Sequence, residues 1–224
     1  MAHEPGEKPS IREVPEPRRN ESFIGPLFQA VFKWPYRMVL LGLYRLGLRP
    51  WHLTLASLGM NVWVGALLLK GERLLPGLLL LPAGLLDVFD GGVARMRGEQ
   101  SSLGAFLDST LDRVSDAIVF GCLFWSLAGQ GRETEAILAI STLAISLAVS
   151  QIRAEGEALG IRLSEGIFQR LERYVAMMVG LTAPGALLPV LALLTGLGGI
   201  TVLQRGWSAW RGLARGREGR AASP

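Results

Sequence analysis

Asp87, Asp90, Asp108 and Asp112 stand in or against strongly apolar sequence, in the segments Asp87-Val-Phe-Asp90-Gly91-Gly92-Val-Ala94-Arg95 and Gly104-Ala-Phe-Leu-Asp108-Ser-Thr-Leu-Asp112. An isolated ionised acid is costly there, so each needs a cation, a partner or water. Carboxylates brought close together repel and protonate unless a cation offsets them. All-oxygen ligation suits Mg2+ or Mn2+. Two such ions bridged by carboxylates suit an in-line displacement at phosphorus. Arg95 and Arg97, just beyond the first acids, are placed to hold a pyrophosphate.

Helices must position these groups. At about 100° per residue, Asp87, Asp90, Gly91, Ala94 and Arg95 fall within an arc of roughly 140°. Gly104, Asp108 and Asp112 recur every fourth residue and form a stripe. The short polar turn Arg97-Gly-Glu-Gln-Ser-Ser102 makes the two helices antiparallel neighbours, so the acids are expected to meet in one layer between them. Gly91, Ala94 and Gly104 on the same faces let a backbone or a ligand approach.

The remainder of the chain supplies the frame. Of 224 residues, 50% are hydrophobic, and mean hydropathy is +0.34. Apolar blocks alternate with short charged stretches, the pattern of an all-α polytopic membrane protein. Six transmembrane helices are expected: Thr54–Leu69, Leu74–Arg95, Leu103–Leu127, Glu135–Ala158, Ile167–Ala183 and Ala186–Leu203. Residues 21–49 read as an interfacial amphipathic segment interrupted by Pro35. The domain reading is a disordered tail over 1–20, the interfacial segment over 21–49, a six-helix catalytic domain over 50–210 and a basic cytoplasmic tail over 211–224.

The net charge of +4 comes with basic residues clustered beside the spans. That is a topology signal rather than a nucleic-acid surface, and it places both ends and the acids at the cytoplasmic face of the cell membrane. Cys122 is the only cysteine, so an intrachain disulfide is excluded, and inert packing is its expected role. No signal peptide is visible. A small cation transporter using the acids is an alternative, but such a path needs acids at several depths, and these cluster near one face.

The motif Asp87-x-x-Asp90-Gly91-x-x-Ala94-Arg95, eight residues, Gly104-x-x-x-Asp108-x-x-x-Asp112 resembles the signature of the CDP-alcohol phosphotransferases (CDP-alcohol phosphatidyltransferases). The resemblance implies an integral membrane enzyme that moves the phosphatidyl group of CDP-diacylglycerol to a soluble alcohol and releases CMP. It implies two metal ions, Mg2+ or Mn2+, on Asp87, Asp90, Asp108 and Asp112, with Asp112 also the base for the acceptor hydroxyl. It further implies that Gly91, Ala94, Arg95, Ser101, His52 and Thr54 line the CDP-lipid site, and that the enzyme is a homodimer joined through its third and fourth spans.

Within the family, Asp108-Ser-Thr-Leu-Asp112-Arg113 resembles the phosphatidylinositol-phosphate synthases and their archaeal relatives. Ser150-Gln-Ile-Arg153-Ala-Glu-Gly-Glu157 and Gln169-Arg-Leu-Glu-Arg173 resemble two further stretches of those enzymes. The resemblance implies that Arg153, Arg170 and Arg173 hold a phosphorylated polyol such as inositol phosphate. Glu155 stands where those enzymes carry arginine, and a carboxylate repels an acceptor phosphate unless an arginine neutralises it. Glycerol 3-phosphate and other alcohols therefore remain open as acceptors. Asp116 continues the acidic stripe with no assigned role.

Overall fold

A computed structural model describes residues 25–160 and 170–221, with side chains over 34–160 and 170–213. The described residues form helices and connecting turns alone. These are α1 (Gly25–Arg45), α2 (Pro50–Leu69), α3 (Leu74–Arg97), α4 (Ser102–Gly129), α5 (Glu133–Ala158), α6 (Arg170–Thr182) and α7 (Leu187–Ala221). The expected tail over 1–20, the stretch 161–165 and the start of the fifth span lie outside the described residues.

Local chemistry sets the helix ends nearest the acids. Pro50 opens α2, where its missing N–H is no loss. Gly98 closes α3 at φ 65°, a conformation that glycine adopts without a Cβ penalty. Ser101 caps α4, its Oγ accepting from the Gly104 N–H at 3.0 Å.

Helix packing closes into a ring. α2 packs on both α3 and α4, α4 on α5, α5 on α7, α7 on α6, and α6 on α3; α1 lies on α3. Leu68, Leu80, Phe120, Ala139, Met177 and Leu191, one from each of α2 to α7, share the buried core. Cys122 packs against that core, in keeping with an inert role.

This arrangement corrects one expectation. The short turn joins α3 to α4, but the two helices do not pack on each other. Helices in contact run 8–10 Å apart, which leaves little room for opposed carboxylates. Instead α2 wedges against both helices, and α6 sends Arg170 to the acids from the other side.

α2, α3, α5 and the Leu187–Leu213 part of α7 are long and apolar enough to cross a membrane. α4 misses that measure because it carries Asp108, Asp112, Arg113 and Asp116, and α6 is described over only 13 residues. Large apolar side chains such as Trp125, Ile137 and Leu203 face outward, as lipid-facing residues do.

Two further boundaries differ from the sequence reading. α1 passes through Pro35 unbroken. An interior proline costs a helix about 3 kcal/mol, and burial of Tyr36, Leu40 and Leu41 in a cluster with Phe89 and Val93 of α3 offsets it. α7 continues to Ala221 rather than fraying near Leu203. The segment 203–221 contains no proline, and its five arginines and three alanines favour a helix against its four glycines.

Candidate active site

Asp87 and Asp90 lie one turn apart on α3, and Asp108 faces them from α4. One carboxylate oxygen from each lies within 4.8 Å of the others. Asp90 is buried and the other two are half-buried. Thr54 of α2 donates its Oγ1 proton to Asp90 Oδ2 at 2.8 Å. The wedge helix therefore orients the most buried of these three acids. Three converging carboxylate oxygens form a hard, anionic donor set, which suits a small divalent cation.

Asp112 stands one turn along α4. Its Oδ1 accepts from Arg170 Nη1, and the same nitrogen lies 2.5 Å from Asp87 Oδ1. One guanidinium thus ties the fourth acid to the metal-type cluster. Arg170 also donates from Nη2 to the Tyr174 hydroxyl at 3.3 Å, and that hydroxyl donates to Asn61 Oδ1 at 3.0 Å. Asn61 is anchored in turn on the Ser57 carbonyl. A polar strand from α2 therefore runs through α6 to the acids.

Asp116, one turn further, is buried and receives Arg173. Its Oδ2 accepts from Arg173 Nη2 and from Ser146 Oγ, each at 2.8 Å, and Arg173 Nη1 also donates to Ser146. Arg153 is apart from this group; it is exposed on α5 and paired with Glu157 at 2.9 Å. Glu155 is also exposed, and its Oε1 accepts from Gln151 at 2.8 Å.

The expected nucleotide side divides into open and packed positions. A Cβ at Gly91 would meet only Arg95 Nη1, at 3.7 Å, so bare backbone lies beside a guanidinium. At Gly104 it would meet only Ser101 Oγ, at 3.1 Å. Gly92 is the close helix contact, since a Cβ there would sit 2.5 Å from the Tyr36 hydroxyl and 2.8 Å from Leu40. Ala94 shares the half-buried face of α3 with Arg95.

Arg95 donates from Nη2 to that Tyr36 hydroxyl at 3.3 Å. Burial pushes the Tyr36 phenol above its ordinary pKa, with Arg95 opposing, so the hydroxyl stays protonated beside the guanidinium. Arg97 donates to the carbonyls of Leu48 and Tyr44, which pins the link between α1 and α2. His52 Nδ1 accepts from the Arg49 N–H at 3.0 Å and caps α2, with its ring against Trp51. Ser101 likewise works as a cap.

Sequence reasoning left Asp116 without a role and passed over Tyr36, Asn61, Ser146 and Tyr174. Asp116 was visible as the next member of the i+4 stripe. Asn61 was visible as the one amide of α2, while Ser146 is one of several hydroxyls along α5 and nothing local singles it out. Nothing local marks Tyr36 or Tyr174.

Converging carboxylates beside an arginine in an all-helical frame suit an enzyme that handles phosphate-linked substrates. The CDP-alcohol phosphatidyltransferase family model matches residues 48–204. The chain belongs to that family: it is a membrane-bound transferase of phospholipid synthesis that moves a phosphatidyl group from a CDP-linked lipid to an alcohol. It is 36% identical over 150 residues to the phosphatidylinositol phosphate synthase of Corynebacterium glutamicum, covering 65% of this chain and 68% of that protein. Its fold is similar to that of the phosphatidylinositol phosphate synthase of Mycobacterium tuberculosis with CDP-DAG bound. The TM-score is 0.69 at 32% identity, over 77% of this chain and 92% of that one. A second structure of that enzyme, in complex with manganese and citrate, gives the same TM-score and identity over 77% of this chain and 87% of that one.

Proposed function

We propose that this enzyme uses a phosphorylated polyol, inositol phosphate first among them, as the acceptor for a phosphatidyl group from CDP-diacylglycerol. The observation that carries the reading is the placement of Arg170 against Asp112, with Arg173 anchored one helical turn away. Cations beside a carboxylate base suit an acceptor with a hydroxyl at one end and a phosphate at the other. The names of the relatives from Corynebacterium and Mycobacterium support the same choice.

Asp87, Asp90, Asp108 and Asp112 would hold two divalent ions, Mg2+ or Mn2+. When bound, these would neutralise the pyrophosphate and stabilise charge on departing CMP. Gly91 leaves room for the pyrophosphate and Arg95 supplies charge to it; Ala94, Ser101, His52 and Thr54 complete that side. Asp112 takes the proton from the acceptor hydroxyl as its oxygen bonds to the lipid-side phosphorus. The bond from that phosphorus to the bridging oxygen breaks, and CMP leaves with that oxygen. Arg170 on Asp112 Oδ1 fixes the plane of the carboxylate. Arg153, on the exposed end of α5, is a peripheral attraction for the acceptor rather than a partner of the inner arginines.

In this reading α2 to α7 are six crossings and form the catalytic domain over 50–210. α1 lies in the interface, with Trp34, Met38 and Val39 outward and Tyr36, Leu40 and Leu41 inward. The clustered basic residues support a cytoplasmic side of the cell membrane for both flanking segments, 1–20 and 211–224. The small residues of α4 and α5 support a homodimer through those helices.

The test is CMP release from CDP-diacylglycerol with Mg2+ or Mn2+, across inositol phosphate, glycerol 3-phosphate, inositol, serine and phosphorylated sugars. Highest kcat/KM with inositol phosphate supports the reading. Turnover confined to serine or inositol overturns it.

A further inference from the structure

Two arginines from one turn of α6 enter a largely apolar helix ring, where a buried guanidinium needs a partner of its own. Arg173 has one in Asp116. The Asp116 side chain is 5% exposed and that of Arg173 is 14%, with Nη2 to Oδ2 at 2.8 Å. Ser146 of α5 grips both members, donating to Asp116 Oδ2 and accepting from Arg173. Arg170 leans on the same carboxylate, its Nε lying 3.8 Å from Asp116 Oδ1.

Asp116 thus gathers two guanidinium groups from α6 and one hydroxyl from α5 at a single point on α4. It stands one helical turn from Asp112 and on the same face. Its contacts are with the arginines and Ser146, so its charge serves the cations. Arg170 is shared further with Asp87 and Asp112, so Asp116 divides its charge between the two guanidiniums and holds Arg173 the more closely. Arg170 Nε, Arg173 Nε and Asp116 Oδ1 are all buried without a hydrogen-bond partner among the described residues, so charge rather than hydrogen bonding couples Arg170 to Asp116.

We propose that Asp116 is a positioning residue for acceptor recognition: with Ser146 it fixes Arg173 and sets Arg170 alongside Asp112. Arg173 thereby becomes a fixed cation, while Arg170 remains shared between Asp87, Asp112 and Asp116. This inference rests on the reading that the acceptor carries a phosphate. It adds a residue outside the motif to the specificity of the reaction.

The test compares Asp116→Asn, Asp116→Glu and Ser146→Ala with the wild-type full chain in proteoliposomes. The readouts are thermal midpoint, kcat, KM for inositol phosphate, KM for CDP-diacylglycerol and the Mn2+ activation curve. Asp116→Asn is expected to raise the inositol phosphate KM about tenfold, the scale of one charge-assisted hydrogen bond. The lipid KM and Mn2+ curve should stay within about twofold. Asp116→Glu restores part of the loss. Ser146→Ala keeps the ion pair and gives the same selective rise at about threefold, so it carries the test if Asp116→Asn does not fold.

Parallel rises in both KM values, or a fall in kcat and thermal midpoint with both KM values unchanged, would mark a purely structural role and overturn the proposal. Failure of the acceptor reading is separable, because it shows in the wild type as turnover only with unphosphorylated alcohols. Asp116→Asn is then measured with the working alcohol, where a selective KM rise retains the positioning role and a parallel loss removes it.

Discussion

Arg170 Nη1 donates to Asp112 Oδ1, joining residues 58 positions apart in the chain. The contact brings α6 to α4 across the ring and sets a cation against the proposed base. It also links two groups of residues that the linear motif keeps separate, the aspartates before position 113 and the arginines after position 169.

Arg170→Lys keeps the charge but loses the planar fork that reaches Asp87, Asp112 and Tyr174 together. A fall in kcat/KM of about tenfold to a hundredfold is expected. Arg170→Gln should cost more, because it leaves the acids without that cation. Steady-state CMP release with each variant, beside a thermal melt, checks both.

Asp112→Asn keeps the size of the side chain and removes its basicity. The expected loss in kcat is on the order of a hundredfold or more, the range for a positioned base. CDP-diacylglycerol binding, measured by calorimetry, should remain within about threefold. Unchanged kcat in this variant would remove Asp112 from the base role.

Chelation with excess EDTA should abolish CMP release, and restoring Mg2+ or Mn2+ should recover it. Thr54→Val, which strips Asp90 of its 2.8 Å hydrogen bond, should shift the metal activation curve to higher concentration by about tenfold or more. The hydroxyl orients a carboxylate already short of solvent. A titration of activity against metal at saturating substrates reads the shift.

Tyr36→Phe removes the hydroxyl that meets Arg95 at 3.3 Å and keeps the ring stacked on Phe89. A two- to fivefold rise in the KM for CDP-diacylglycerol is expected, roughly the low end of the worth of one hydrogen bond, as befits a long contact. The KM for the acceptor should not move. Kinetics at fixed acceptor separate the two, and equal changes in both would detach Tyr36 from the nucleotide side.

Glu155→Arg replaces a carboxylate that accepts from Gln151 with a cation at the exposed end of α5. Electrostatic attraction should lower the KM for inositol phosphate by about twofold to fivefold at low salt, and the gain should fade as ionic strength rises. An acceptor KM that is indifferent to this change at every salt concentration would place Glu155 away from the acceptor's approach.

The metal-type cluster was legible in the chain because i, i+3 and i+4 spacing on a helix is local. Asp87 and Asp90 share a face of α3 whatever packs around them, and the stripe from Gly104 through Asp112 is as direct on α4. Apolar blocks likewise announced membrane helices, since lipid demands that a helix satisfy its own backbone. The same local view misplaced α3 against α4, because a short turn limits the distance between helix ends and not what lies between the helices. It also let Pro35 interrupt α1, where packing against α3 carries the helix through.

The sequence by itself determined the reaction class, for the chemistry needs only carboxylates, an arginine and small residues in helical register. Tertiary structure decided which residues serve them. Thr54 on Asp90, Tyr36 on Arg95, Arg170 on Asp112 and Asp116 on Arg173 are contacts across 36 to 59 residues. Such contacts exist only once the ring of helices closes, and no spacing rule along a single helix encodes them.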